Sequence, residues 1–231
     1  MRTPRSHIAL YCTALLSIFC SYSHSNDDQY AIDYIQQQLN ISQDHSELWQ
    51  WGWSGFFITT LTAQVVGSRT VADEKIRYRM RVGSITNSAG LAAILFNPMK
   101  THRYADELSG LTENDSEQLA QKRTSAEYYL AAAARREREE QSWINHLLAG
   151  AVNSIASLTI AYDGKQPSDA WLAFATGMAV SELKIYTAPQ AMIKAEQDYN
   201  SGNYYVKAAK RAKPYWNIAA MGPHISIDWR F

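Results

Sequence analysis

The chain has only two cysteines, Cys12 and Cys20, and both lie near its start. If that start is removed on export, the remainder carries no disulfide framework, no thiol nucleophile and no thiolate metal site. Stability must then come from packing alone. An excess of one charge is missing too. Lys+Arg 22 balances Asp+Glu 22, so no global field argues for nucleic acid as a partner. The later histidines, His45, His102, His146 and His224, have no glutamate three residues before them, and there is no HExxH, so di-iron and zincin patterns fail. No glycine-rich phosphate loop and no GxSxG elbow occurs. The expectation is a non-enzymatic protein with no cofactor, no metal site and no catalytic residue. One motif runs the other way: Ser181-Glu182-Leu183-Lys184 matches SxxK, where a lysine one helical turn on activates a serine. Its SDN and KTG companions are absent, which leaves a serine hydrolase as the third reading.

What is present is apolar and helical. Of the 231 residues, 46% are hydrophobic and 12% aromatic, enough to bury a core, with one domain as the default. Arg2 and Arg5, an apolar run Ile8–Phe19 and the small residues Ser23-His24-Ser25 have the order of a cleaved signal peptide, assigned here to residues 1–25. An uncleaved anchor is the alternative. A lipoprotein site at Cys20 is disfavoured because Phe19 stands where a small residue is wanted. Residues 26–231 then form a single helical domain.

The chain is organised around Trp143–Tyr162, a stretch with no formal charge, helical in pattern and threaded with small residues. Ala170–Ala188 answers it across a polar turn, broken only by Glu182 and Lys184. Trp49–Gly67 and Val82–Asn97 form a similar earlier pair. The predicted units are hairpin one over 46–98, a charged helix over 112–142, hairpin two over 143–189, and an amphipathic helix with a tail over 190–231. Ser46 is expected to cap hairpin one, Thr70 with Asp73 to cap its second helix, and residues 100–112 to be a loop. Ser84, Ser88 and Ala92 lie four apart, as do Ala149, Asn153 and Ser157, with Gly150 and Gly177 nearby; these are the predicted helix-packing faces.

From Thr112 to Gln141 the chain reads as a wet helix, with Arg135–Glu139 and Arg136–Glu140 as i,i+4 pairs on a solvated face. It is expected to run on into Trp143. Both hairpins share an order of Trp entry, apolar helix, turn, small-residue helix, proline and polar exit, which argues for internal duplication and a four-helix arrangement. At the C-terminus Ile225, Ile227, Trp229 and Phe231 alternate to a terminal aromatic. This resembles the closing-strand signal of bacterial outer-membrane β-barrels, but the rest of the chain lacks the alternating strands of a barrel. The tail is therefore expected as a short extended or β segment that docks its apolar side on the bundle or on a partner.

Length favours lipid, since a bilayer span needs about 17–25 apolar residues. Thr59, Asn87, Asn153 and Glu182 weigh against it. The uncharged glycine and alanine faces tip the balance. The expected protein is all-α, exported to the bacterial cell envelope, and embedded in or apposed to a membrane. Its expected partners are membrane lipid and a protein partner or second copy. The runner-up is a soluble periplasmic bundle that holds an apolar ligand between its hairpins.

Overall fold

A computed structural model describes the backbone of residues 6–204, 215–221 and 224–230, and the side chains of residues 27–204. The fold is all-α over the region where side chains are described. The first helix, α1, spans Ser6–Thr70, 65 residues, on the order of 100 Å at about 1.5 Å per residue. No proline falls within it. The expected cap at Ser46 is not formed, because nothing in that stretch stops a helix; Ser46 lies fully buried in mid-helix. Asp73 opens α2 (Glu74–Phe96), its carboxylate accepting from the Ile76 amide at 3.0 Å. Thr70, expected to share that cap, is the last residue of α1.

The expected loop at 100–112 instead contains α3, Thr101–Ser109. Its buried Thr101, Ala105 and Leu108 share one face at helical spacing. The charged helix is α4, Ser116–Glu140, capped by Asp115 on the Gln118 amide at 2.8 Å. It ends at Gln141–Ser142 rather than continuing into α5, Trp143–Tyr162, because the Asn145 side chain turns back to donate to the Glu139 and Glu140 carbonyls at 2.8 and 2.9 Å. Then come α6 (Pro167–Tyr186), with proline at a helix start where its missing N–H costs nothing, and α7 (Ala191–Asn200), closed by Gly202 at φ 73. The backbone of β1 (Tyr215–Met221) pairs antiparallel with β2 (His224–Arg230). Ile225, Ile227 and Trp229 belong to β2; their side chains, and Phe231 altogether, lie outside the described residues.

Packing divides the described chain into two regions. In the headpiece, Ile32, Ile35 and Leu39 of α1 meet Leu108 of α3, Leu130 of α4 and Met192 of α7. A second cluster, built on Trp49, Trp53, Phe57 and Ile94, lies at its base. Beyond it α1 runs antiparallel to α2, with Gly67 on Met80, Gly83 on Gln64 and Gly90 on Phe57. In the same way α5 pairs with α6, with Asn153 on Gly177 and His146 on Glu182. These four helical segments carry large exposed apolar side chains: Trp51, Ile85, Phe96, Leu147, Ile155 and Trp171 are all exposed, Phe96 at 90%.

The charge run of α4 departs from expectation. Arg135 and Glu139 stay in solvent, but Arg136, Glu137 and Glu140 are buried. The face expected to be solvated is the surface on which α7 and the end of α6 pack, through Glu137 on the first α7 amides and Glu140 on Lys184.

Candidate functional site

Between the two helix pairs lies a partly open cavity of about 550 Å³, lined from α1, α2, α5 and α6. The pairs pack together through α2 and α5. On the opposite side α1 meets the end of α6 through two indoles: Trp49 Nε1 donates to the Lys184 carbonyl at 3.1 Å, and Trp53 Nε1 donates to Thr187 Oγ1 at 3.0 Å. Two of the polar groups that weakened these helices as apolar stretches, Asn87 and Asn153, find partners inside the bundle. Asn87 Nδ2 donates to Gln64 Oε1 at 2.7 Å. Asn153 Nδ2 donates to the Ala149 carbonyl at 2.8 Å and to Ser181 Oγ at 3.2 Å.

Ion pairs close the two ends. At the helix turns Arg79 meets Asp169 at 2.7 Å, Tyr78 donates to Asp163, and Gln166 donates to the Lys75 carbonyl at 3.3 Å. At the headpiece end Glu140 takes Arg136 Nη2 at 2.8 Å on one oxygen and Lys184 Nζ on the other. Arg136 Nε also donates to the Asn97 carbonyl at 2.8 Å, and the Lys184 ammonium stands 5.3 Å from the Trp49 ring centre. One cluster thereby ties α4 to α2, α6 and α1.

Close by in the headpiece, Glu137 is fully buried, and burial raises its carboxyl pKa to about 7 despite two amide hydrogen bonds. Its Oε2 accepts from the Met192 and Ile193 amides at 2.9 and 3.1 Å. Glu137 therefore caps α7 from a different helix, where Gln190 gives no side-chain cap of its own.

The predicted packing residues are distributed unevenly. Asn153 and Gly177 come together so closely that a Cβ on Gly177 has no room beside the Asn153 amide. Ala149 supplies a carbonyl to Asn153, and Ser157 is buried with no partner for its hydroxyl. Ser88 is exposed, and Ser84 and Ala92 are half-buried; both serine hydroxyls bond back to their own helix, at the Arg81 and Ser84 carbonyls. A Cβ on Gly150 meets nothing within 4 Å. Contact with α1 falls instead on Gly83 and Gly90, where an added Cβ would lie 2.5 Å from Gln64 and 2.7 Å from Phe57. The signal for this face was the glycine pair two turns apart, one residue round from the serines.

The SxxK residues each have a partner on another helix. Lys184 is held by Glu140, while Ser181 takes its hydrogen bond from Asn153. Among the described residues no three metal-ligating side chains converge. Fold and cavity together define a helical protein whose paired segments expose apolar side chains and join several polar groups between them. No family model, no curated protein and no solved structure matches the chain.

Proposed function

We propose that this chain is an exported, non-enzymatic component of a bacterial cell envelope. In this reading it is a membrane-embedded helical bundle with a polar headpiece, acting through helix packing with itself or a partner. The observation that carries the reading is the exposed apolar surface of the four paired segments. A soluble bundle faces its polar residues outward and its apolar stripe inward. Here Trp143, Leu147, Leu148, Ile155 and Leu158 of α5 are exposed, while Gln64, Asn87 and Asn153 pair inside. Large exposed apolar surface marks a membrane or protein contact. Helix α5 is long and apolar enough to cross a membrane by length and composition, with 11% of its window buried. Helices α5 and α6 have 20 residues each, about 30 Å, the thickness of a hydrocarbon core.

Internal duplication fits the same picture. Gln50 and Gln141, Ile94 and Ile185, and Pro98 and Pro189 keep one constant separation along the chain. Gln50 and Gln141 each donate to a carbonyl at the end of the second helix of their pair, at Ile94 and Ala188, and Ile94 and Ile185 are both buried. Each half then continues into a short helix, α3 or α7, that returns to the headpiece. Two parallel repeats about an axis along the membrane normal produce this arrangement. Arg69, Lys75, Arg77, Arg81 and Lys165 gather around the helix turns, so the positive-inside rule directs the turns to the cytoplasm and the headpiece to the outer side. Washing membranes with alkaline carbonate tests the reading. Retention of the full chain in the pellet is expected, and release would return it to the soluble alternative.

A further inference from the structure

The cavity between the helix pairs is long rather than round. Its lining runs from Asn145 to Ile160 on α5 and from Asp169 to Ile185 on α6, on the order of 20 Å at about 1.5 Å per residue. A bilayer core of about 30 Å holds two leaflets of chains, so one acyl chain reaches about 15 Å. The slot accommodates one such chain with space for a head group. Its volume, about 550 Å³, lies within the range of about 300–1,000 Å³ of small-molecule sites. Phe57, Val152, Leu172 and Val180 give it apolar walls.

The two ends differ in charge. Among the described residues lining the slot, the charged ones are Arg79, Asp169 and Lys184. Arg79 and Asp169 neutralise each other at the turn end. At the headpiece end two cations, Lys184 and Arg136, share the one carboxylate of Glu140, and Arg136 Nη1 is buried without a partner. Of the acids near them in sequence, Glu182 pairs with His146 at 2.8 Å and Glu137 accepts from the first α7 amides. Within this largely buried cluster two cations therefore meet one carboxylate, which leaves room for a second anion where a counter-charge is worth most. Ser181 Oγ lines the same end and already accepts from Asn153, so its proton is available to a ligand.

We propose that the slot binds one acyl chain bearing an anionic head group, with the head at Lys184 and the chain running toward Ile160. This rests on the membrane-embedded reading, because the lipid phase supplies the chain. Both a fatty-acid carboxylate and a lysophospholipid phosphate supply that head.

The test uses the full chain in phosphatidylcholine nanodiscs, a palmitate with a mid-chain diazirine, and peptide mapping of the photoproducts. Label is expected on the slot walls at Val152, Ala156 and Gly177. Palmitate or lysophosphatidate should compete for it and methyl palmitate should not; whichever acid competes assigns the head group. Lys184→Gln should weaken competition about tenfold, the weight of one charge-assisted contact. Ala173→Phe, which fills the slot without touching the Glu140 cluster, should abolish inner labelling while the thermal midpoint holds. Equal competition by methyl palmitate, or inner labelling that survives Ala173→Phe, would overturn the proposal. Label confined to outward positions such as Leu147 and Ile155 would also overturn it while upholding the membrane reading. Absence of label at both, with release by carbonate, would defeat the two together.

Discussion

Raising the pH from about 5 to about 8 is expected to destabilise the headpiece through Glu137, because folding gives this carboxyl a higher affinity for its proton. Burial lifts its pKa from an ordinary 4.5 to about 7, while the Met192 and Ile193 amides and Arg138 pull the other way. Below the unfolded value both states are protonated, and the full contribution of the protonated group is present. Between the two values the folded chain retains a proton that the unfolded chain has released, so stability falls as pH rises. Above the folded value that contribution is gone, a loss of about 3 kcal/mol at most. For a chain of this length the corresponding fall in thermal midpoint is on the order of 10 °C. His45 works in the opposite direction, since burial lowers its pKa and the folded chain sheds that proton first. Glu137→Gln separates the two: the amide oxygen still caps α7 but does not ionise. Thermal unfolding of the full chain in detergent, followed by circular dichroism at both pH values, should show a steeper fall for the natural protein than for the variant. Identical pH dependence in the two proteins would refute the reasoning.

Three further outcomes follow from the packing. Gly177→Ala should cost about 1–3 kcal/mol by displacing the Asn153 amide from its hydrogen bonds. Gly150→Ala, with open space around it, should be neutral or stabilising by up to about 1 kcal/mol, and equal effects in denaturation midpoints would sink the close-packed α5–α6 contact. Glu140→Ala should cost about 3–5 kcal/mol by leaving Arg136 and Lys184 buried without their anion; a loss below about 1 kcal/mol, typical of surface pairs, would mean that the cluster is solvated. If the start of the chain is processed near Ser25 as its sequence order predicts, the intact mass of exported protein should lack both cysteines. A mass retaining them would favour an anchored N-terminus.

The helices were legible in the sequence where an apolar period ran uninterrupted between a polar turn and a proline. Trp143–Tyr162 is helical over the very stretch read as the organising element, whereas the cap expected from Thr70 with Asp73 falls on Asp73 alone. Helix α3 was missed because only Thr101, Ala105 and Leu108 of its nine residues are buried, too few for a pattern among His102, Arg103, Asp106 and Glu107. The burial of Glu137 and Glu140 was hidden for another reason. Their partners, Met192 and Lys184, lie far along the chain, and an i,i+4 charge pattern looks the same whether its face is wet or covered. The small-residue face of α2 was read on the serines. A serine hydroxyl can satisfy itself on its own helix, as Ser84 and Ser88 do, whereas Gly83 and Gly90 provide the space that Gln64 and Phe57 occupy.

The central claim is that the outward face of the paired helices lies in lipid while the headpiece lies in water. The direct measurement places a nitroxide at Ile155→Cys on α5 or at Ala131→Cys on α4, each in a Cys12→Ser, Cys20→Ser background, in liposomes. Both positions are exposed on the protein surface. Power-saturation spectroscopy then compares collisions with oxygen, which concentrates in the bilayer, against a water-soluble nickel chelate. The account predicts high oxygen and low nickel accessibility at position 155 and the reverse at position 131. High nickel accessibility at both positions would contradict it.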